Sequence, residues 1–317
     1  MHRSALAVFL GVVLSACSGA APTATTEPAL PEKRLALSFD DAPMSDGPIL
    51  TGDERTDALI TTLADREAPP AVFFVTTQGL GRDNGRARIE RYVDAGHLLA
   101  NHSHSHQGAS STDPAIYIAD IDEAERQLAG FGNRRAWYRF PFLDEGRPLE
   151  RRDLYRSALA ERGLTNGYVT MDTYDWYLND KWRRALAAGQ MVDEAALKSV
   201  YLDMLMASVE YYDELAAESL GESPAHIILL HANDLNAHFI GDFIDRVRSE
   251  GWTLVSPDEV YADPIATQTP QTLITNQGHV AALAIDGGRS PIGMTHLGIE
   301  EDQIDALIET RQVFGER

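Results

Sequence analysis

The sequence predicts an α/β fold with a mainly parallel sheet, either a barrel or a wound sheet. Short apolar runs recur along the chain, and segments with helical character separate them. This alternation is typical of folds in which helices cover a parallel sheet. With 317 residues, 44% of them apolar, the chain is long enough for one large domain with a full core.

The predicted elements follow from these two patterns in chain order. Apolar runs predict strands at Leu35–Phe39, Ala71–Val75, His97–Ala100, Tyr168–Met171, Ile227–Leu230 and Thr253–Val255. Helical patterns cover Thr56–Asp65, Ala87–Ala95, Ile118–Leu128, Leu149–Glu161 and Glu194–Leu220. The last of these is the strongest, because its apolar residues recur mostly at spacings of three and four. That regularity favours core packing over a ligand site.

Most of the chemically suggestive clusters come directly after a predicted strand. They are Asp40-Asp41, His102 to His106, Asp172 to Trp176, and His231, while Arg139 to Phe142 closes a shorter aromatic stretch. In parallel α/β folds the active site lies at the carboxyl ends of the strands, where loops from many strands collect. We therefore expect these clusters to meet on one face.

The first two clusters indicate a metal site. Asp40 and Asp41 end an apolar strand, and nothing nearby in the sequence neutralises them, which favours a bound cation. His102 and His106 are four positions apart, a separation at which two ring nitrogens can close on one ion if they share a helical face. His104 would then point elsewhere. One carboxylate and two imidazoles predict a hydrolytic metal centre.

Five motifs in this order resemble those of the polysaccharide deacetylases, carbohydrate esterase family 4, whose domain is the NodB homology domain. They are Ser-Phe-Asp-Asp, His-Ser-x-x-His, Arg-x-Pro-Phe, Asp-x-x-Asp-Trp and Leu-x-His, within about residues 33–262. One such motif is weak, but five in order are specific. The resemblance implies a distorted, partly open (β/α) barrel and metal-dependent removal of acetyl groups from N-acetylated sugars.

The resemblance also implies how the reaction is divided among the residues. Asp41, His102 and His106 would bind a divalent ion, Zn²⁺ foremost, with Co²⁺ or Ni²⁺ as alternatives. The ion would activate a water molecule at neutral pH. Asp40 would be the general base, and His231 would be the general acid that protonates the leaving amine.

Further residues would support these groups. Arg139 would hold the orientation of Asp40, and a carboxylate of Asp172 or Asp175 would orient and tune His231, with Asp175 preferred.

Around the acetyl group, the resemblance implies an oxyanion donor and a small pocket. The backbone N–H of Phe142 would stabilise the oxyanion, and Trp176 and Leu229 would wall the acetyl-methyl pocket. Ala42 stands where a glycine usually follows the Asp pair, and Phe142 stands where the family usually has tyrosine. Neither departure removes a metal ligand or a proton-transfer group.

The N-terminal sequence predicts export. Residues 1–17 have a short basic start and an apolar stretch too short to span a bilayer, as in a secretory signal. Leu14-Ser15-Ala16-Cys17 resembles the lipobox of bacterial lipoproteins, so Cys17 would carry the lipid, with a plain secretory signal as the alternative. We expect a membrane-anchored protein of the bacterial cell envelope, at the periplasmic face or the outer membrane.

The predicted organisation after the signal peptide has three parts. Residues 18–32 would be a flexible tether, 33–262 the catalytic domain, and 263–317 a C-terminal extension that packs on the barrel. Cys17 is the one cysteine, so a disulfide within the chain is excluded. The formal charge of −21 argues against nucleic acid as a partner.

An acetylated glycan is the expected partner, peptidoglycan or a chitin-like polymer, and the leading hypothesis is an N-deacetylase. One alternative keeps the site but cleaves O-acetyl esters of xylan. Another is a catalytically idle glycan-binding lipoprotein, which the presence of both a base and an acid argues against. The sequence carries no signal for the oligomeric state.

Overall fold

A computed structural model describes residues 1–2 and 32–315. Cys17, nearly all of the predicted signal peptide and most of the predicted tether lie outside the described residues. Within the described part of the chain, none of the helices combines the length and the apolar character that crossing a bilayer requires.

Strands and helices alternate along most of the chain, as predicted. The strands are β1 (Arg34–Ala42), β2 (Val72–Val75), β3 (Leu98–Asn101), β4 (Arg134–Tyr138), β5 (Thr165–Asn166), β6 (Met191–Val192), β7 (Ala225–His231), β8 (Thr253–Leu254) and β9 (Phe314–Gly315). The helices are α1 (Gly52–Asp65), α2 (Gly85–Asp94), α3 (Pro114–Leu128), α4 (Leu149–Glu161), α5 (Asp175–Ala187), α6 (Glu194–Leu220), α7 (Asp234–Ser249), α8 (Pro257–Val260), α9 (His279–Asp286) and α10 (Glu301–Thr310). Short 3₁₀ helices cover Thr77–Gly81, Pro141–Leu143, Pro264–Thr267 and Leu297–Ile299.

Local sequence signals account for several helix ends. The side chain of Thr51 accepts a hydrogen bond from the backbone of Glu54, whose carboxylate accepts one from the backbone of Thr51, so α1 begins at a capping box. Asp193 caps the start of α6, and Gly221 ends it with a φ of 82°, which glycine adopts without steric cost. The predicted bounds of α4 and α6 are confirmed, whereas α1, α2 and α3 each begin earlier than predicted.

In the main sheet, β1 lies between β2 and the edge strand β7. The order of this sheet is β5-β4-β3-β2-β1-β7, these neighbours are parallel, and β8 pairs with the first residues of β1. The register of β1 and β7 runs from Arg34 opposite Ala225 to Asp40 opposite His231. The two predicted proton-transfer residues therefore lie side by side at the carboxyl ends of neighbouring strands.

The strand predicted over Tyr168–Met171 is wrong. In this segment only Met171 makes a β-bridge, to Ile228 of β7. The Arg139 guanidinium donates hydrogen bonds to the carbonyl oxygens of Gly167 and Tyr168, at 2.7 and 3.3 Å. These two oxygens are therefore engaged by a side chain instead of a regular β-ladder. Because this chain segment leaves β5 at one edge of the sheet and reaches β7 at the other, it joins the two edges. The fold is a partly open (β/α) barrel, as predicted.

The residues after 262 form short elements beside α6. Helix α9 and the 3₁₀ turn at Leu297–Ile299 contact α6, and β9 pairs with β6 in an antiparallel ribbon. Val280, Ile304 and Val313 are fully buried in the same core as the barrel strands. This part of the chain therefore adds to the main hydrophobic core.

Candidate active site

The carboxyl ends of β1, β3 and β7 open into a cavity of about 500 Å³. Nine of the predicted site residues line it: Asp40, Asp41, His102, His106, Phe142, Asp172, Trp176, Leu229 and His231. Arg139 and Asp175 do not line it; they are fully buried and hydrogen-bond to Asp40 and His231. Apart from Cys17, which lies outside the described residues, the structure brings the predicted set together.

Three side chains at one end of the cavity could hold a metal ion. Asp41, His102 and His106 each offer one ligand atom, and these atoms all lie within 4.8 Å of one another. The Asp41 Oδ1 atom is 3.7 Å from Nε2 of His102 and 3.3 Å from Nε2 of His106. One carboxylate oxygen and two imidazole nitrogens form a donor set that suits Zn²⁺ and similar divalent ions.

The surroundings of His102 prepare it for a ligand role. Its Nδ1 atom lies 2.9 Å from the carbonyl oxygen of Arg139, which requires a proton on Nδ1 and leaves the lone pair on Nε2. Burial, followed by the neighbouring His106, lowers the pKa of His102 to about 3. The ring is therefore neutral at pH 7, as metal binding requires.

The histidine loop is not helical, which corrects the expectation of a shared helical face. Ser103 and His106 both adopt left-handed backbone conformations, with φ of 72° and 56°. The hydroxyl of Ser103 accepts a hydrogen bond from the backbone N–H of His106 at 2.9 Å, and Asp120 accepts the N–H of His104. His104 lies against Thr77, with Nδ1 2.9 Å from the hydroxyl oxygen, and takes no part in the metal cluster.

A buried ion pair fixes Asp40. The Nη1 atom of Arg139 donates to Asp40 Oδ1 at 2.6 Å and to the hydroxyl of Ser38 at 2.8 Å. The Arg139 guanidinium also stacks on the ring of Phe74, 3.7 Å from its centroid. The other carboxylate oxygen of Asp40 lies 3.7 Å from Nε2 of His102, on the metal side. Burial raises the pKa of Asp40, and the charge of Arg139 opposes that rise.

His231 is held by Asp175, the preferred one of the two candidate carboxylates. Asp175 Oδ1 lies 2.7 Å from His231 Nδ1, and its Oδ2 accepts the backbone N–H of His231 at 2.9 Å. Burial by itself would lower the pKa of His231, but the charge and hydrogen bond of Asp175 raise it to about 10. The ring is protonated at neutral pH and has Nε2 left for the cavity.

Asp172 has a different environment. It lines the cavity, and burial raises its pKa to about 7, against the hydrogen bond from the backbone of Thr173. Among the described residues its carboxylate has no hydrogen bond to His231. The preference for Asp175 as the partner of His231 therefore agrees with the geometry.

Sequence reasoning missed the amides that support Asp175. The side-chain amides of Asn233 and Asn236 donate to Asp175 Oδ2 at 2.9 and 2.6 Å. Both follow His231 closely, and Asn233 caps the start of α7. A helix N-cap directly after the histidine was the available signal.

The predicted acetyl pocket lies beside the metal cluster. The Phe142 ring is 64% exposed and packs edge-on against His106, with 4.7 Å between centroids. Trp176, which is exposed, and Leu229, which is buried, lie on the wall of the same cavity.

Left-handed backbone conformations concentrate at this site. Asp41 and Phe142 have φ of 63° and 59°, in addition to the two residues of the histidine loop. Such conformations are unfavourable for residues with a Cβ atom and persist where function requires them. Ala42, in place of glycine, is fully buried and pairs with Val75, so β1 continues past Asp41.

The sequence matches the family model of the polysaccharide deacetylases over residues 27–165. No curated protein sequence gives a significant match.

Solved structures with this fold include several members of carbohydrate esterase family 4. A mutant of a family pseudoenzyme, whose wild type comes from Bacillus anthracis, is 16% identical and has a TM-score of 0.50, covering 73% of this chain and 67% of its own. The chitin deacetylase of Colletotrichum lindemuthianum is 20% identical with a TM-score of 0.49, covering 73% and 88%. A cobalt-bound acetyl xylan esterase of Clostridium thermocellum is 21% identical with a TM-score of 0.46, covering 73% and 91%. The family model thus identifies a polysaccharide deacetylase domain over residues 27–165, and the solved structures show that the chain shares their fold.

Proposed function

We propose that the protein is a metal-dependent hydrolase that removes acetyl groups from N-acetylated sugars of a polysaccharide or oligosaccharide. The observation that carries the proposal is that three groups of residues meet at one cavity. These are the metal cluster, the Asp40–Arg139 pair and the His231–Asp175 pair. A protein that only bound glycans would need neither the buried base nor the protonated imidazole.

Asp41, His102 and His106 would hold the ion, and we propose Zn²⁺, with Co²⁺ and Ni²⁺ as ions that the same donor set accepts. A divalent ion bound there would polarise the acetyl carbonyl and make a water molecule more acidic. Its ligands are placed by the strand ends and by the hydrogen bonds of the histidine loop.

Asp40 would act as the general base. Its free oxygen faces the metal cluster, and Arg139 fixes the other oxygen, so the carboxylate cannot rotate away. It would take the proton from the attacking water while the water oxygen adds to the acetyl carbon. Because burial raises the pKa of Asp40, the carboxylate is a better proton acceptor than an exposed aspartate.

His231 would act as the general acid. It carries a proton at neutral pH because Asp175 stabilises the imidazolium. When the carbon–nitrogen bond breaks, His231 would give this proton to the sugar nitrogen, so that the products are acetate and a free amine. Asp40 and His231 are opposite each other in the β1–β7 register, so the proposed base and acid lie close together in one cavity.

The remaining residues would shape the acetyl site. The backbone N–H of Phe142 would stabilise the oxyanion, and Trp176 with Leu229 would limit the pocket to a methyl group. A pocket of this kind accepts N-acetyl and O-acetyl groups alike. An O-acetyl xylan esterase therefore remains the second candidate, since the cavity contains the same base and metal ligands.

Acetate release tests the proposal. Purified protein is stripped with a chelator, reloaded with Zn²⁺ or Co²⁺, and given N-acetylglucosamine oligomers, peptidoglycan and acetylxylan. We expect metal-restored release from the N-acetylated substrates. Faster release from acetylxylan would favour the esterase, and metal binding without release from any substrate would favour the idle glycan-binding protein.

We also propose that the protein is exported and anchored to a bacterial envelope membrane through Cys17. The lipobox-like sequence before this cysteine supports the proposal. Fractionation of cells that express the full chain tests it. We expect wild type in the membrane fraction and the Cys17→Ala variant out of it, whereas equal membrane association of both would contradict lipid anchoring.

A further inference from the structure

Helix α5 presents one face to the active-site cavity. Trp176, Asn179, Asp180 and Arg183 all line the cavity, and their spacing of three and four is that of one helical face. Trp176 lies beside the proposed acetyl pocket at the start of the helix. Arg183 is seven residues further on, which places it about 10 Å along the helix axis.

Arg183 differs from the other cations of this helix. Lys181 pairs with Asp305 at 2.7 Å and Arg184 pairs with Asp180 at 2.7 Å. Within residues 32–315, Arg183 has neither an ion pair nor a side-chain hydrogen bond, and its side chain is exposed to the cavity. Its five N–H donors are available to a ligand.

Arg183 lies in acidic surroundings. Among the described residues that line the cavity, Arg183 is the only arginine or lysine, while Asp40, Asp41, Asp172 and Asp180 are acidic. The whole chain has a formal charge of −21. An anionic substrate would be repelled by this field unless a specific cation met its charge.

We propose that Arg183 forms a subsite for a carboxylate on the sugar residue next to the one that is deacetylated. This inference rests on the proposed function and adds a substrate class to it, an N-acetylated glycan that also carries acidic sugars. The helix rise separates Trp176 and Arg183 by about 10 Å, and one sugar residue is roughly half as long. Arg183 therefore contacts a neighbouring sugar residue and not the acetylated one. The planar guanidinium can bind a carboxylate through two parallel hydrogen bonds.

The shape of the surface gives room for more than one sugar. A second cavity, of about 230 Å³, shares Leu143 and Asn276 with the active-site cavity. The two cavities therefore lie next to each other, and the second one is also lined by an arginine, Arg147. The space beside the active-site cavity leaves room for a further sugar residue.

Paired ligands test the subsite. A hexasaccharide of alternating N-acetylglucosamine and glucuronic acid is compared with its carboxyl-reduced form, in which a neutral hydroxymethyl group replaces each carboxylate. Binding to the Zn²⁺-loaded Asp40→Asn variant is measured by calorimetry, so that turnover is not needed. We expect about three- to tenfold tighter binding of the carboxylate form, the range for one partly solvated charge-assisted pair.

Variants of two cations of α5 provide the test and its control. In the Asp40→Asn background, Arg183→Gln should bring the affinity ratio of the two ligands to about one, and Arg183→Lys should restore part of it. Lys181→Gln removes a charge of the same helix that does not line the cavity and whose partner, Asp305, does not line it either, so the ratio should stay as it was. An equal affinity for both ligands before the Arg183 change, or the same loss in both glutamine variants, would overturn the subsite.

The same ligands separate this inference from the proposed function. With wild-type protein, the carboxylate preference should appear in KM and not in kcat. Acetate release from a neutral oligomer together with an affinity ratio of one would overturn the Arg183 subsite alone. Preserved carboxylate preference in binding without acetate release from any substrate would support the subsite and count against the deacetylase.

Discussion

Asp175 holds His231 at two points, since one carboxylate oxygen lies 2.7 Å from Nδ1 and the other accepts the backbone N–H of the same histidine at 2.9 Å. Asp175 is fully buried, and the amides of Asn233 and Asn236 fill the rest of its hydrogen-bonding capacity. The histidine therefore has one tautomer, one ring orientation and a stabilised positive charge.

Replacing Asp175 with asparagine should weaken the general acid. The pKa of His231 is about 10 with Asp175 in place, above its ordinary value, so loss of the carboxylate lowers it. We expect kcat to fall about 100-fold and the alkaline limb of the pH profile of kcat/KM to move to lower pH.

Asp172→Asn is the matched comparison. Because Asp172 lines the cavity without a hydrogen bond to His231 in the described structure, the alkaline limb should stay where it is in wild type. A shift of equal size in both variants would contradict the assignment of Asp175.

The His231–Asp175 pair should also make stability depend on pH. A pKa raised in the folded state stabilises the protein fully below the unfolded value of about 6.5. This contribution is lost as the pH rises toward the folded value of about 10. Urea unfolding of the metal-free protein at several pH values should show the loss in wild type and a smaller loss in Asp175→Asn. Parallel profiles would contradict the pairing.

Removing one metal ligand should abolish both metal binding and activity. Asp41→Ala, His102→Ala or His106→Ala should lower the affinity for Zn²⁺ by more than about 100-fold, since even changes to residues behind the ligands cost about 10- to 100-fold. Metal content after dialysis is the direct measurement. His104→Ala is the control from the same loop, because His104 is bound to Thr77 instead of the cluster, and it should keep its metal.

Breaking the Asp40–Arg139 pair should destabilise the fold. Both side chains are at most 4% exposed, so Arg139→Met leaves a buried carboxylate without a partner and should cost about 3–5 kcal/mol of unfolding free energy. Adding Asp40→Asn should recover part of that cost. The exposed pair of Arg66 and Asp245 gives the comparison, and Arg66→Gln should cost no more than about 1 kcal/mol. Equal costs for the two pairs would contradict the role of burial.

The left-handed backbone of Phe142 should be measurable as strain. Its φ of 59° favours glycine, so Phe142→Gly should be more stable than Phe142→Ala by about 1 kcal/mol in urea unfolding. Leu154, an exposed residue within α4, should show the opposite order, with glycine about 1 kcal/mol worse than alanine. If alanine were more stable than glycine at both positions, the backbone of Phe142 would not be strained.

The sequence was sufficient for the outline of the fold and for the residues that meet at the carboxyl ends of its strands. Strand patterns ending in Asp40, Asn101 and His231 become neighbours because the carboxyl ends of parallel strands share one edge. The five motifs then supplied the roles. The choice between Asp172 and Asp175 was open, because both belong to one motif and only the packing decides which one faces His231.

Other features depended on tertiary contacts that no local pattern carries. The apolar pattern of Tyr168–Met171 predicts a strand. In the structure, the Arg139 side chain instead donates hydrogen bonds to the carbonyl oxygens of Gly167 and Tyr168. His102 and His106 come together through positive φ angles at Ser103 and His106 instead of a helical turn. Arg183 is one of several arginines in its region, and only the orientation of α5 places it in the cavity.

The most direct test is a metal titration of the chelated protein with N-acetylglucosamine oligomers, in which acetate release and bound Zn²⁺ are measured on the same samples. We expect acetate release to rise in proportion to bound metal up to one ion per chain. The Asp40→Asn variant should bind the same amount of metal and release acetate at least about 100-fold more slowly. Stoichiometric metal binding without acetate release in wild type, or full activity in the Asp40→Asn variant, would contradict a metal-dependent deacetylase with Asp40 as its base.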